Sequence, residues 1–458
     1  MKTLNKITLL LKKKGDIYIS LIIAVMCISF LIGAFSSLYR VGAGSWVSAV
    51  IYKTKSLIGL TKVKGIPGSL FISTSRYEFE TVKKASGVGV YQLATTDGNN
   101  ILAVERNTGL LIVMTPENNS YKEKILSQSI FPKNIEGKIN INKKAIMANS
   151  KPPIIMDLHF ALNKLFYSIV VDDSKDGKVC QSLILFEVPL ISLEEAGEPI
   201  EIFRSPCSFD LDNAVMWAGR ITNNENRIFL SIGEQRFDRS GYPKKDIFTE
   251  DELVTRKTVF GKILSFNPYN FEYYAYSSGH RNAQGLFWDA ERYQLLSSEH
   301  GPNGGDEVNL IIPGNNYGWP TVTFGKPYRE RYPSGVVEIN EGKNPGTGVD
   351  LQPERKGFLT GTHDGYTPPI ISWIPGVGVG NLLRVPSNSP LKDWRGDILV
   401  TTMGEGNLHR LRLFGKSVVL DENIHLGKRI RDLILLSNGN LAIALDEGSL
   451  FILKVSDL

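Results

Sequence analysis

An all-β fold made by radial repetition of small sheets, a six-bladed β-propeller preceded by one transmembrane helix, is what this chain predicts. Three observations carry the prediction. Short apolar runs broken by turn residues recur from about residue 70 to the C-terminus. Helix signals are few, with no long Ala/Glu/Lys run. Roughly 390 residues of such pattern exceed a sandwich or a simple barrel, which leaves radial repetition. Six blades of about 65 residues fit that length, although strand counting alone leaves seven or eight open.

Composition and the N-terminus set the address. With 22% charged and 42% hydrophobic residues, disorder is excluded as the default. A net charge of +5 is too small to imply nucleic acid. Moreover, five lysines (Lys2, Lys6, Lys12, Lys13 and Lys14) account for that excess. Behind them, Ile17 to Tyr39 is a run of 23 residues without a formal charge. As a helix it is roughly 34 Å long, enough for a bilayer core. The lysines predict an N-terminus left in the cytoplasm. A cleaved signal peptide and a buried core helix are the alternatives, the first with a shorter apolar run and the second with one apolar face. The expected organisation is a basic cytoplasmic segment (1–16), an anchor (17–39), a linker (40–69) and a propeller (70–458) on the periplasmic or extracellular side. Trp46 and Tyr52 in the linker sit at the membrane interface or pack on the domain. Cys27 lies in the anchor; Cys180 and Cys207 either pair or stay as two separate thiols.

In chain order, ILAVER and LLIVM flank Asn107-Thr108-Gly109, a hairpin signal. LFYSIVV and SLILFEV flank a loop over 172–178, and GRITNN, RIFLSIG and GKILSFNP follow. Residues 236–258 form a charged insertion that predicts an exposed loop with a short helix. Between Ser278 and Pro320, two strand-like runs (285–288 and 293–297) hold polar loops rich in Gly, Asn, Arg and carboxylates. Residues 326–367 are a second long polar stretch. DILVTTM, HRLRLF and a hairpin around Asn438-Gly439-Asn440 complete the pattern.

GHRNAQGLFWD, SEHGPNGGDEVNLI and NNYGWP, together with GKILSFNP, the Glu105-Arg106 to Gly109 hairpin, WRGDILV and GKRIRDLILLSNGNLAIAL, follow each other in the order and spacing of the glucose/sorbosone dehydrogenase family. Over about 70–455 the chain resembles the soluble-type, PQQ-dependent sugar dehydrogenases and their aldose dehydrogenase relatives. The resemblance implies a six-bladed propeller with PQQ over its central channel. PQQ is a planar quinone with three carboxylates, so its site needs fixed cations and donors. Arg281 and Asn282 match the family's cofactor-binding pair, and Arg429 and Arg431 its second arginine pair. Two apart in a strand, Arg429 and Arg431 would share a face, and arginine forks suit carboxylates. A solvated strand edge is the bland reading of the same RIR run. By resemblance, the Gly301 and Pro302 carbonyls hold the catalytic calcium, and Glu307 with the Tyr317 carbonyl a second one. A tight acidic loop without metal is the plain alternative for GPNGGDE.

The departures lie elsewhere. The family's catalytic His position is Met216, whose thioether has no useful basicity. Asp306 matches the carboxylate that orients that His. The family's PQQ-contacting lysine falls at about Gly404, and its QGGLL-type segment reads KPPIIMD, without the glutamine. Of the six histidines, His280 and His300 lie in the site-forming stretch and read as structural, while His363 sits in a loop able to reach inward. Two functions follow. One is a PQQ- and calcium-dependent oxidoreductase taking a sugar or other alcohol and an electron acceptor. The other is a non-catalytic propeller of the same family that binds a glycan, small ligand or protein. A glycosidase is disfavoured, since adjacent Asp306 and Glu307 would point apart in a strand.

Overall fold

The computed structural model describes most of the chain between residues 69 and 457. Residues 1–68, 72–76, 85–88, 137–152, 174–179, 193–194, 209–215, 236–257, 326–358 and positions 97, 119, 303 and 458 lie outside the described residues. The expected anchor and linker, the charged insertion and most of the second polar stretch fall there. Among the described residues no helix is long and apolar enough to cross a membrane.

Six antiparallel sheets are arranged as six blades. Their innermost strands are Tyr91–Thr95, Ile154–Ala161, Ala218–Asn223, Ala283–Asp289, Val379–Arg384 and Ile430–Leu435. Each inner strand touches the inner strand of the next blade, and the sixth touches the first, so the strands close a ring. Both predicted hairpins are present: Val104 pairs with Leu111 across Asn107-Thr108-Gly109, and Leu435 pairs with Leu441. In the first of these, the Glu105 carboxylate ties the turn by accepting from the Asn107 and Thr108 N–H groups (3.1 and 2.7 Å).

The apolar runs read as they do because each sheet is buried on both faces. In Ile101–Glu105, Leu102 and Val104 enter the cluster shared with the second blade. Ile101 and Ala103, on the other face, enter the cluster shared with the sixth. Five further seams, of which the sixth-to-first is one, are filled in the same way. Such a fully buried aliphatic side chain contributes about 2 kcal/mol to stability. Cys180 and Cys207 are joined by a disulfide (Cα–Cα 5.7 Å), which ties the second blade to the segment leading into the third.

The sixth blade is composite. Its strands Ile430–Leu435, Leu441–Leu445 and Ser449–Asp457 are followed outward by Tyr77–Lys84 and Ser69–Phe71 from the start of the domain. Tyr77 pairs with Asp457 and Lys84 with Phe451. The ring is thus fastened by chain segments from its two ends.

Candidate functional site

Inner strands begin at one end of the ring, and the connections between second and third strands return there. Arg281, Gly301, Asp306, Met216, Gly404, Arg429 and Arg431 all lie at this end, on or beside those connections. The topology therefore brings together residues that sequence spacing only places in series.

A chain of hydrogen bonds links them. Arg281 is buried and donates from Nη1 to the Gly301 and His300 carbonyls (2.9 and 3.2 Å), with its guanidinium 5.3 Å from the Trp319 ring centroid. The Gly301 N–H donates to Asp306 Oδ1 (3.0 Å), and Asp306 Oδ2 accepts from the Gly378 N–H (2.6 Å). The Met403 N–H bonds the Gly378 carbonyl (2.6 Å), and the Met403 carbonyl accepts from Arg429 Nη1 (2.9 Å). Arg429 Nε and Arg431 Nε then share the carboxylate of Asp446 (3.0 and 2.7 Å). The two arginines do converge on one side, although Arg429 stands just ahead of its strand. Asn282 is buried; its side-chain oxygen accepts from Gln284 Nε2 (3.0 Å) and its carbonyl from the His300 N–H (3.0 Å).

Asp306 is not left without a histidine. His300 Nδ1 lies 3.7 Å from Asp306 Oδ1, and its side chain is partly exposed. Burial pushes the Asp306 carboxyl up, but His300 and the Gly378 and Gly301 N–H donors outweigh it and hold it below the usual carboxylate range. Met216 stands on the same rim. Its carbonyl accepts from Gln235 Nε2 (2.7 Å), and the neighbouring Glu234 N–H donates to the Arg281 carbonyl (2.9 Å). Gly404 has a steric reason to be glycine: a Cβ there would stand 2.5 Å from the Val377 carbonyl oxygen.

Asp306 and Glu307 diverge as adjacent strand residues must. Glu307 bonds His363 Nε2 (3.0 Å) and Asn309 Nδ2 (3.4 Å), so His363 does reach inward. Burial raises the Glu307 carboxyl; the His363 bond offsets part of this, and the Glu299 charge adds to it. Tyr317 is buried, its hydroxyl donating to the Leu310 carbonyl (2.5 Å) and its ring stacked on His280. His280 in turn bonds Ser277 and Glu299, a structural role.

The donor set fits the two implied groups unequally. Cations at one rim suit an anionic cofactor such as PQQ. Calcium fits less well in this arrangement, because the Arg281 guanidinium occupies the Gly301 carbonyl that would ligate it. Among the described residues no group of three or more His, Cys, Asp or Glu side chains could hold a metal.

Two features escaped the sequence reading. Arg106, in the first hairpin, is pushed below the usual arginine range by burial and by the nearby Arg431, so it belongs to the same cationic rim. Across the axis, Arg220 donates to Gln92 Oε1 (2.6 Å), Asp157 Oδ1 (2.9 Å) and Asp432 Oδ1 (2.7 Å), and Asn381 Nδ2 reaches the same Asp432 oxygen (2.6 Å). Five blades meet in this network. Burial raises the Asp157 carboxyl to about 7, against Arg220 and helped by Asp432. Asp157 and Asn381 also line a cavity of about 550 Å³ that opens at the far end of the axis.

A closed ring of six antiparallel blades of four or five strands each, with an arginine-lined rim at one end, defines a propeller of the sugar-dehydrogenase type. The glucose/sorbosone dehydrogenase family model matches residues 91–454, and the chain belongs to that family. It is 27% identical over 242 residues to an uncharacterized protein of Synechocystis, matching 49% of this chain and 52% of that one. It is also 27% identical over 299 residues to an aldose sugar dehydrogenase of Escherichia coli (64% and 72%). With a quinoprotein glucose dehydrogenase of Acinetobacter calcoaceticus it shares 28% over 277 residues (49% and 57%). The chain thus spans little more than half the length of two of these relatives. In fold, the apo aldose sugar dehydrogenase of Escherichia coli superposes with a TM-score of 0.59 at 20% identity, over 83% of this chain and all of that one.

Proposed function

We propose that this chain is a membrane-anchored oxidoreductase that uses PQQ to oxidise a sugar or other alcohol and passes the electrons to an external acceptor. The observation that carries the reading is the continuous bonding from Arg281 through Asp306 to Arg429 and Arg431, which sets cations around one end of the channel. PQQ, when bound, supplies the two-electron acceptor. Arg429 and Arg431 would hold its carboxylates in exchange for Asp446, and Arg281 and Asn282 are the other residues that would hold it. Asp306, 3.7 Å from His300 Nδ1, would orient the ring by closing that distance, leaving Nε2 to take the substrate hydroxyl proton in place of the histidine that Met216 replaces. Calcium dependence is the finer part of the proposal; it requires Arg281 to leave the Gly301 carbonyl for the cofactor. The anchor is residues 17–39, with the propeller outside the cytoplasmic membrane, supported by the uncharged run and the lysines before it.

Met216 and Gly404 favour a second reading, a propeller that binds a ligand without turnover. PQQ titration, with and without calcium, followed by dye reduction over an aldose panel, decides between them. Saturable PQQ binding with turnover, abolished in His300→Gln while PQQ still binds, supports the enzyme. PQQ binding without turnover, with activity appearing only in Met216→His, supports the binding protein. Absence of PQQ binding under both conditions overturns the cofactor assignment.

A further inference from the structure

At the end of the ring away from these arginines, the fourth and fifth blades leave a cavity of about 400 Å³ between them. Arg292, Arg384, Arg395, Arg412 and Lys416 line it, against a single carboxylate, Asp397. That carboxylate is already used: Arg410 Nε and Arg412 Nη2 bond its Oδ2 (2.6 and 3.0 Å), and Arg412 Nε its Oδ1 (3.0 Å). At one edge, Asp289 Oδ2 meets Arg384 Nη1 (3.0 Å) and Arg292 Nη1 (3.3 Å), and Glu291 lies 3.5 Å from Arg292. Arg395 spends only Nε, on the Ser389 carbonyl (2.8 Å). Among the described residues no ion pair engages Arg395 or Lys416.

Arg384 is the informative member. It is only 7% exposed, and its Nε has no hydrogen-bond partner. A buried, unsatisfied cationic donor is costly, and an anion entering the cavity would offset that cost. Burial holds its guanidinium below the usual arginine range, Asp289 opposing and Arg292 adding. Exposed Arg395 and Lys416 stand at the rim above it, and Leu296 and Leu413 contribute apolar wall.

We propose that this cavity binds a phosphate group, free or carried on an anionic lipid headgroup. Guanidinium forks arriving from separate turns, with a lysine as a point charge, suit a compact oxyanion with several acceptor oxygens. The site is independent of the cofactor rim and of the oxidoreductase reading.

The test is calorimetric titration of the full-length chain at constant ionic strength. Inorganic phosphate is one probe and soluble dihexanoyl-phosphatidylglycerol the other, each against wild type and an Arg395→Glu/Lys416→Glu double variant. Both substituted side chains are exposed, so an unchanged melting temperature without ligand is expected. Saturable binding in wild type, weakened about tenfold or more in the double variant, is the expected result. Saturation by phosphate assigns a free anion, and saturation by the lipid alone assigns a headgroup. No saturable binding of either probe, or equal affinity in the double variant, overturns the proposal.

Discussion

Two arginine groups stand on the same rim of this propeller and are held in opposite ways. Arg281 is 6% exposed, bonded to two backbone carbonyls and set against Trp319. The Arg429 side chain is 56% exposed and leans on Asp446 and a carbonyl. A buried guanidinium on carbonyls is part of the fold, since its loss strands acceptors that water cannot reach. An exposed pair contributes little to stability and exchanges partners readily. The rim thus combines a rigid half with a half able to trade its carboxylate for a ligand's.

Three measurements sharpen or break this contrast. Arg281→Met has the largest expected effect, a loss of about 2–4 kcal/mol in urea unfolding, because two carbonyls lose a charged donor. A loss below about 0.5 kcal/mol would put Arg281 in the exchangeable class instead.

His409 tests the rigid class with a titratable cation. Burial opposes its charge, but Asp421 (2.7 Å) and Glu405 (3.4 Å) prevail and raise the imidazole to about 9. A pKa raised on folding gives stability that is complete below the unfolded value near 6.5 and is lost as pH rises through about 9. Wild type should therefore exceed His409→Gln by roughly 1–2 kcal/mol at pH 6, allowing for the partly exposed carboxylates, and the gap should close towards pH 10. A gap independent of pH would mean the imidazole acts by packing alone.

Smallest in stability is Arg429→Ala, expected within about 0.5 kcal/mol of wild type. Its effect should instead appear in PQQ affinity, weakened about tenfold in a direct titration. An unfolding change comparable to that of Arg281→Met would erase the distinction.

The fold was legible because each blade is local: its strands are consecutive, and both faces are buried, so apolar runs such as Ile101–Val104 announce themselves. The 281–317 block was legible for the same reason, since its loops come from one blade. Contacts between blades were not. Nothing in sequence spacing brings Gln92, Asp157, Arg220 and Asp432 to one guanidinium, because neighbours across the axis lie tens to hundreds of residues apart. His300 and Asp306 are six apart in sequence, yet their pairing depends on how the intervening Gly-rich turn folds back, with the Gly301 N–H on the Asp306 carboxylate. The Arg384 cavity joins turns from two blades, and charge counting along the chain averages it away.

The composite sixth blade imposes an order on folding. Residues 77–84 leave the ribosome early but find their partners only when 449–457 have emerged. Until then one edge of that strand is unpaired, and the ring is an open arc whose sixth and first inner strands have yet to meet. The rim arginines Arg429 and Arg431 sit in that same closing blade. Completion of the cationic rim therefore waits on residues 449–457, so a chain clipped before them has no assembled rim with which to capture an anion prematurely.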